Sequence, residues 1–75
     1  MDFESKITVD PEIRSGKPCI NGTRITVYDI LEYMASGMTN EEILSDFPTL
    51  KKEDLQTVLA FAASRERKLA VHSAA

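Results

Sequence analysis

The chain has no tryptophan and a single cysteine, Cys19, so no internal disulfide can form, and the lone histidine, His72, has no partner at zinc-ligand spacing. It lacks an apolar run long enough to span a bilayer, and its first residues, Met1-Asp2-Phe3-Glu4-Ser5-Lys6, lack the basic start and apolar stretch of a signal peptide. These absences lead to the expectation of a soluble, cytoplasmic protein with no membrane association, no metal and no cofactor. One unpaired thiol fits a reducing compartment. A chain of 75 residues is expected to form one domain over residues 1–75, and without staples a core of that size is marginal. Further burial is expected from a homo-oligomer, with a dimer favoured, or from a docked partner.

Basic charge is missing from the middle of the chain. The net charge is -3, and Val27 to Leu50 carries Asp29, Glu32, Glu41, Glu42 and Asp46 with no Lys or Arg. Bases and acids balance before Val27, whereas bases outnumber acids from Lys51 onward. The middle therefore repels phosphate, and an anionic partner must meet the first or last third.

Lys6-Ile7-Thr8-Val9-Asp10 alternates with the period of a half-buried strand, Pro11 ends it, and Glu12 to Gly16 reads as a turn. Asn21-Gly22, between Lys17-Pro18-Cys19-Ile20 and Thr23-Arg24-Ile25-Thr26, predicts a two-residue type I′ hairpin turn with positive φ at both residues. Pro18 implies that the first hairpin arm is an edge, or at least has its amide side unpaired. Thr26 caps a helix whose apolar positions Val27, Ile30, Leu31 and Met34 share one face, and Gly37 is placed to end it. Thr39 and Glu42 form a capping box for a short helix carrying Ile43, Leu44 and Phe47, which Pro48 terminates. A third helix is expected from about Lys51, carrying Leu55, Val58, Leu59, Ala62 and Leu69 inward, with Ala60, Ala62 and Ala63 keeping it slim. The fold class is thus mainly α with a short N-terminal β-hairpin region: strands over 6–26, three helices over 27–70 in a homeodomain-like helix-turn-helix arrangement, and a frayed tail over 71–75.

The segment Ile20-Asn21-Gly22-Thr23-Arg24-Ile25 carries a family resemblance. It is joined by Asp10-Pro11 and Gly16-Lys17-Pro18 before it, and by Gly37, Glu41-Glu42-Ile43-Leu44, Phe47-Pro48, Leu50, Glu53-Asp54-Leu55 and Leu59 after it. Together these resemble the domain-of-unknown-function family four-three-three, over about Ile7 to Ser64. The resemblance implies a small helix-turn-helix-like protein of bacteria and archaea. Many relatives look like antitoxins of type II toxin-antitoxin pairs, often accompanied by a PIN-like nuclease toxin. The family pattern usually has a hydroxyl residue where this chain has Lys51, so the long helix is expected to lack its side-chain N-cap. The tail after Ser64 is idiosyncratic.

Arg24 is the first candidate for partner binding, because it follows a tight turn on a rigid ribbon. Its guanidinium suits the clustered carboxylates of a nuclease site, or a phosphate, with a bidentate geometry that Lys does not reproduce. The competing expectation, given more weight, is an internal ion pair with an acid of the first helix such as Asp29. Lys17 and Arg14 are read in the same way. The second cluster is Arg65, Arg67 and Lys68, a solvated helix end or a clamp on an acidic partner, including the acidic middle of a second copy. If the helix-turn-helix reads promoter DNA, Lys51, Lys52, Gln56 and Thr57 are the residues that would reach phosphates or base edges, opposed by Glu53 and Asp54 beside them; the competing expectation is a purely structural role for the motif.

Gly16, Pro18, Asn21, Gly22, Thr23, Thr26, Gly37, Thr39 and Glu42 are assigned to turns and caps. Gly16-Lys17-Pro18 and Gly22-Thr23 lack the spacing of a phosphate-cradling loop. Glu41, Glu42 and Asp46 are read as a cap and a solvated acidic face, not as metal ligands. Cys19, with no adjacent base, is read as a structural thiol. With no nucleophile-base pair and no catalytic residue, the expectation is a non-enzymatic binder. First comes an antitoxin-like partner of a PIN-like nuclease, then a DNA-binding autoregulator, then an oligomerising adaptor with neither role.

Overall fold

The computed structural model describes residues 6–73, with side chains as far as Glu66. Strands β1 (Ile7–Thr8) and β2 (Cys19–Ile20) are followed by helices α1 (Val27–Ala35), α2 (Asn40–Asp46) and α3 (Lys52–Ser73). The mainly helical class with a short β region at the start matches the sequence reading.

The strand pairing differs from it. β1 and β2 are antiparallel, with Ile7 opposite Ile20 and Thr8 opposite Cys19, while Cys19 also bridges Thr26 on its other side. β2 is therefore flanked on both sides, so of the two alternatives that Pro18 allowed the edge strand is not formed and the unpaired amide side remains. Pro18 lies just before the strand, where its missing N–H costs no ladder bond, and its carbonyl accepts from the amide of Val27 at 2.9 Å.

The Asn21-Gly22 turn is corrected as well. Ile20 N–H donates to the Ile25 carbonyl at 2.9 Å, so residues 21–24 form a four-residue loop, not a two-residue one. Only Gly22, at φ 81°, has positive φ there. With the Thr23 amide donating to the Ile20 carbonyl at 3.0 Å, this is the pattern of a type II turn. The cause is β1: Asn21 N–H donates to the Lys6 carbonyl at 2.8 Å and its side-chain oxygen accepts from the Thr8 hydroxyl at 2.8 Å, which ties Asn21 to β1. The Thr23 hydroxyl closes the loop, donating to the Ile20 carbonyl at 2.8 Å and accepting from the Ile25 amide at 3.0 Å.

The helix ends follow the sequence closely. The Thr26 hydroxyl accepts from the Asp29 amide at 2.9 Å. At the other end of α1, the amide of Gly37 donates to Met34 and that of Met38 to Tyr33, each at 3.1 Å, with Gly37 at φ 99° in a Schellman arrangement. The Thr39–Glu42 capping box is complete, at 2.9 and 3.2 Å. Lys51 offers α3 no side-chain acceptor, but the reciprocal half of a box is present: Asp54 accepts from the Lys51 amide at 2.8 Å. No Gly or Pro follows Pro48, and α3 continues to Ser73, past the expected stop at residue 70.

Ile20, Val27, Ile30, Ile43, Leu50, Leu55 and Val58 form the buried core, with Leu31, Met34, Leu44, Phe47 and Phe61 packed around it. Tyr33 and Phe47 meet with ring centroids 5.5 Å apart at the α1–α2 end. Leu59, expected inside, is half exposed at 51 %. The inward stripe of α3 runs through Leu55 and Val58 toward Phe61 and Ala62, and Leu59 lies one residue outside it. The side chain of Leu69 lies outside the described residues.

Candidate partner-binding surface

The segment before β2 builds an unusual brace. Asp10 starts it, its carboxylate accepting from the Glu12 amide and its carbonyl from the Ile13 amide, both at 2.9 Å. Arg14, Ser15 and Gly16 then make a single tight turn in which all three have positive φ, at 50°, 58° and 82°. For Arg14 and Ser15 this left-handed backbone costs about 1–2 kcal/mol each. Two amide bonds hold it, Gly16 to the Ile13 carbonyl at 3.1 Å and Lys17 to the Arg14 carbonyl at 3.2 Å. No sequence signal marks Arg14 and Ser15 for this conformation, since only Gly16 is an ordinary left-handed residue.

The turn aims the Arg14 side chain back over the fold. Its Nη1 donates to the Arg24 carbonyl at 3.0 Å and lies 3.4 Å from Asp29 Oδ2 in the first turn of α1. Arg14 therefore ties three segments together: the left-handed turn, the 21–24 loop and the start of α1. The expected Arg24–Asp29 ion pair is not formed, because Arg14 occupies that carboxylate. Of the candidate partner-binding cations, Arg14 is thus engaged internally.

Arg24 is exposed, and among the described residues its guanidinium has no hydrogen-bond or ion-pair partner. Its backbone is pinned by Arg14 on one side and by the Thr23 hydroxyl bridge on the other. Beside it lies an open cleft of about 490 Å³, lined by Thr8, Ile13, Asn21, Gly22, Thr23 and Arg24. Lys17 is exposed too, and its carbonyl accepts from the buried Cys19 thiol at 3.3 Å. The structural role read for Cys19 fits that burial.

At the start of α3, Lys51, Lys52 and Gln56 are exposed. Thr57 is not: it is 1 % exposed, and its hydroxyl donates to the Glu53 carbonyl at 2.9 Å within the helix. As a contact to DNA Thr57 is excluded, because α3 turns it toward the core beside Val58. Glu53 forms an ion pair with Lys6 at 3.5 Å, exposed on both sides. Arg65 stacks over Phe61 at 5.5 Å from the ring centroid. The side chains of Arg67 and Lys68 lie outside the described residues.

Two titrations are displaced. The Thr39 amide, followed by the Thr39 hydroxyl, holds the Glu42 carboxylate below its ordinary range. A hydrogen bond to Glu32, reinforced by the charges of Glu32 and Asp29, pushes the exposed Tyr28 phenol up. Among the described residues no cluster of His, Cys, Asp or Glu is placed to hold a metal ion, and no helix is long and apolar enough to cross a membrane.

The family model described as "Protein of unknown function (DUF433)" matches residues 7–62, covering β1 through the first half of α3. The chain belongs to the DUF433 family. A curated relative, the uncharacterised protein y4eO of Sinorhizobium fredii strain NGR234, is 34% identical over 56 residues. That match takes in 75% of this chain and 25% of the relative, so the chain spans about a quarter of that protein's length. The crystal structure of a DUF433 member from Anabaena variabilis superposes with a TM-score of 0.80 at 25% identity, covering 97% of this chain and 72% of the other. The DUF433 match contains the left-handed turn, the 21–24 loop and the helix caps, and ends three residues before Arg65.

Proposed function

We propose that this DUF433 chain is an antitoxin-like binding module that neutralises a PIN-like ribonuclease by stoichiometric occupation of its active-site cleft, with no chemical step of its own. The observation that carries the reading is Arg24: an exposed guanidinium without a partner among the described residues, on a loop braced from both sides, next to a concave surface. A nuclease site that gathers carboxylates to hold metal ions is a strong electrostatic complement to such a group. A braced loop also loses little conformational entropy when it binds. Lys17 is a supporting cation, and Arg14 acts indirectly by holding the Arg24 carbonyl. The test is co-expression with the product of the neighbouring gene and assay of that product for ribonuclease activity. The complex is expected to co-purify and ribonuclease activity to fall. Arg24→Ala is expected to release the nuclease, and Arg24→Lys to restore little of the affinity. Retained inhibition by Arg24→Ala would remove Arg24 from the mechanism.

A second reading, a DNA-binding autoregulator, is supported by the exposure of Lys51, Lys52 and Gln56 at the start of α3. Its test is a mobility shift on the promoter of its own operon across a salt series. Binding through phosphates weakens steeply with salt, by about 0.9 of a log unit in affinity per contacted phosphate for each log unit of salt. No shift with or without the nuclease would end this reading.

A further inference from the structure

A second cleft, of about 250 Å³, runs between α1 and α3 and shares no lining residue with the cleft beside Arg24. Val27 and Leu31 of α1 face Phe61 and Ala62 of α3 across it, and the exposed Tyr28 and Arg65 border it. Tyr28 is 62 % exposed although aromatic, and Glu32 lies one turn further along α1. Neither Glu32 nor Arg65 has an ion-pair partner among the described residues. An apolar strip is thus flanked by a negative charge on α1 and a positive charge on α3, neither compensated by an ion pair among the described residues.

Such a surface is complementary to itself. A two-fold rotation about an axis through the strip brings the acidic side of one copy against the basic side of the other, twice over. The charge segregation of the chain, with acids alone from Val27 to Leu50 and Arg-Glu-Arg-Lys at 65–68, has the same sense. Ala62 keeps the centre of the strip shallow enough for close approach of a second helix, and the small core leaves room for added burial. We propose that this groove is the two-fold interface of a homodimer, in which Arg65 of each protomer pairs with Glu32 of the partner subunit across Tyr28, Leu31 and Phe61. The inference does not depend on the antitoxin reading, which uses the other cleft.

Sedimentation equilibrium of the full chain tests it against the 8.4 kDa monomer mass. The wild type is expected at twice that mass; a monomer throughout the micromolar range overturns the proposal. Glu32→Arg and Arg65→Glu each set like charges opposite one another at both symmetry-related positions, and each is expected to weaken the dimer about tenfold or more. Mixed in equal amounts, the two variants must dimerise again, because the mixed pair has opposite charges at both positions while each homodimer has none. Failure of the mixture to restore the dimer overturns the assignment. Both substitutions are at exposed positions, and far-UV circular dichroism checks that each variant is folded. Ala62→Gln, a bulkier side chain in the centre of the groove, is the independent arm: it must weaken the dimer, and an undiminished dimer refutes the interface.

Discussion

The left-handed turn at Arg14-Ser15-Gly16 makes a quantitative prediction about how the Arg24 loop is held. Arg14→Ala removes an ion pair at 3.4 Å whose side chains are 38% and 32% exposed, together with a hydrogen bond to the Arg24 carbonyl at 3.0 Å. At that exposure the ion pair takes its surface value, about 0.5–1 kcal/mol after solvent screening. The hydrogen bond adds about 1 kcal/mol. Alanine is as strained as arginine at φ 50°, so the backbone cost stays, and the expected loss is about 1.5–2 kcal/mol. Arg14→Gly loses the same contacts but relieves about 1–2 kcal/mol of strain, against about 0.5–1 kcal/mol of added chain entropy. It should therefore fall between wild type and Arg14→Ala. Ser15→Gly relieves strain without losing a side-chain bond, because Ser15 is exposed and none of the hydrogen bonds of the turn uses its hydroxyl. It is expected to stabilise by about 0.5–1 kcal/mol, equivalent to a few degrees in Tm for a domain of this size. Urea denaturation followed by far-UV circular dichroism, at one fixed protein concentration, gives all three differences. The order Ser15→Gly above wild type, then Arg14→Gly, then Arg14→Ala is the signature. If Ser15→Gly destabilises, or Arg14→Ala costs no more than Arg24→Ala, the brace is not what holds this turn.

Other expectations are as sharp. Gly37→Ala meets no steric neighbour, so its cost is backbone strain alone, about 1–2 kcal/mol read as a lower urea midpoint; an unchanged midpoint would refute the Schellman assignment. Thr57→Val keeps the buried shape, is expected to cost at most about 1 kcal/mol, and should leave any promoter affinity unchanged, whereas Lys52→Ala should reduce the salt slope. The lowered Glu42 carboxylate contributes stability that is fully present above the ordinary glutamate range and is lost as pH falls through its folded value. Glu42→Gln should therefore flatten the acid limb of the stability profile, and an identical acid limb would argue against the capping box. The raised Tyr28 phenol has the opposite sign, its contribution being full below the ordinary tyrosine range and lost as pH rises through the folded value. Ultraviolet titration of Glu32→Gln is expected to bring that phenol back toward its ordinary range.

What was legible in the sequence is what depends on neighbouring residues. Thr26, Gly37, Thr39 and Glu42 act within one helical turn of their own positions, and each does what its residue type favours. The family resemblance, carried by the same short-range signals, was legible for the same reason. Arg24 was visible as a candidate, but its freedom was not, because that depends on which of two arginines reaches Asp29. Leu59 and Thr57 were misplaced for a related reason: spacing alone gives the width of the apolar stripe on α3, not the edge at which α1 meets it.

The Asn21-Gly22 turn shows the boundary most clearly. By itself the dipeptide determines that the chain reverses there and that Gly22 takes positive φ. The loop length, the tethering of Asn21 and the central position of β2 are decided by β1, through the Lys6 carbonyl and the Thr8 hydroxyl. The same division holds for the whole chain. Caps, turn positions and helix order follow from local backbone chemistry, which acts before any long-range contact forms. The left-handed Arg14, the release of Arg24 and the groove between α1 and α3 exist only once distant segments are packed, because the energy that stabilises them comes from those contacts.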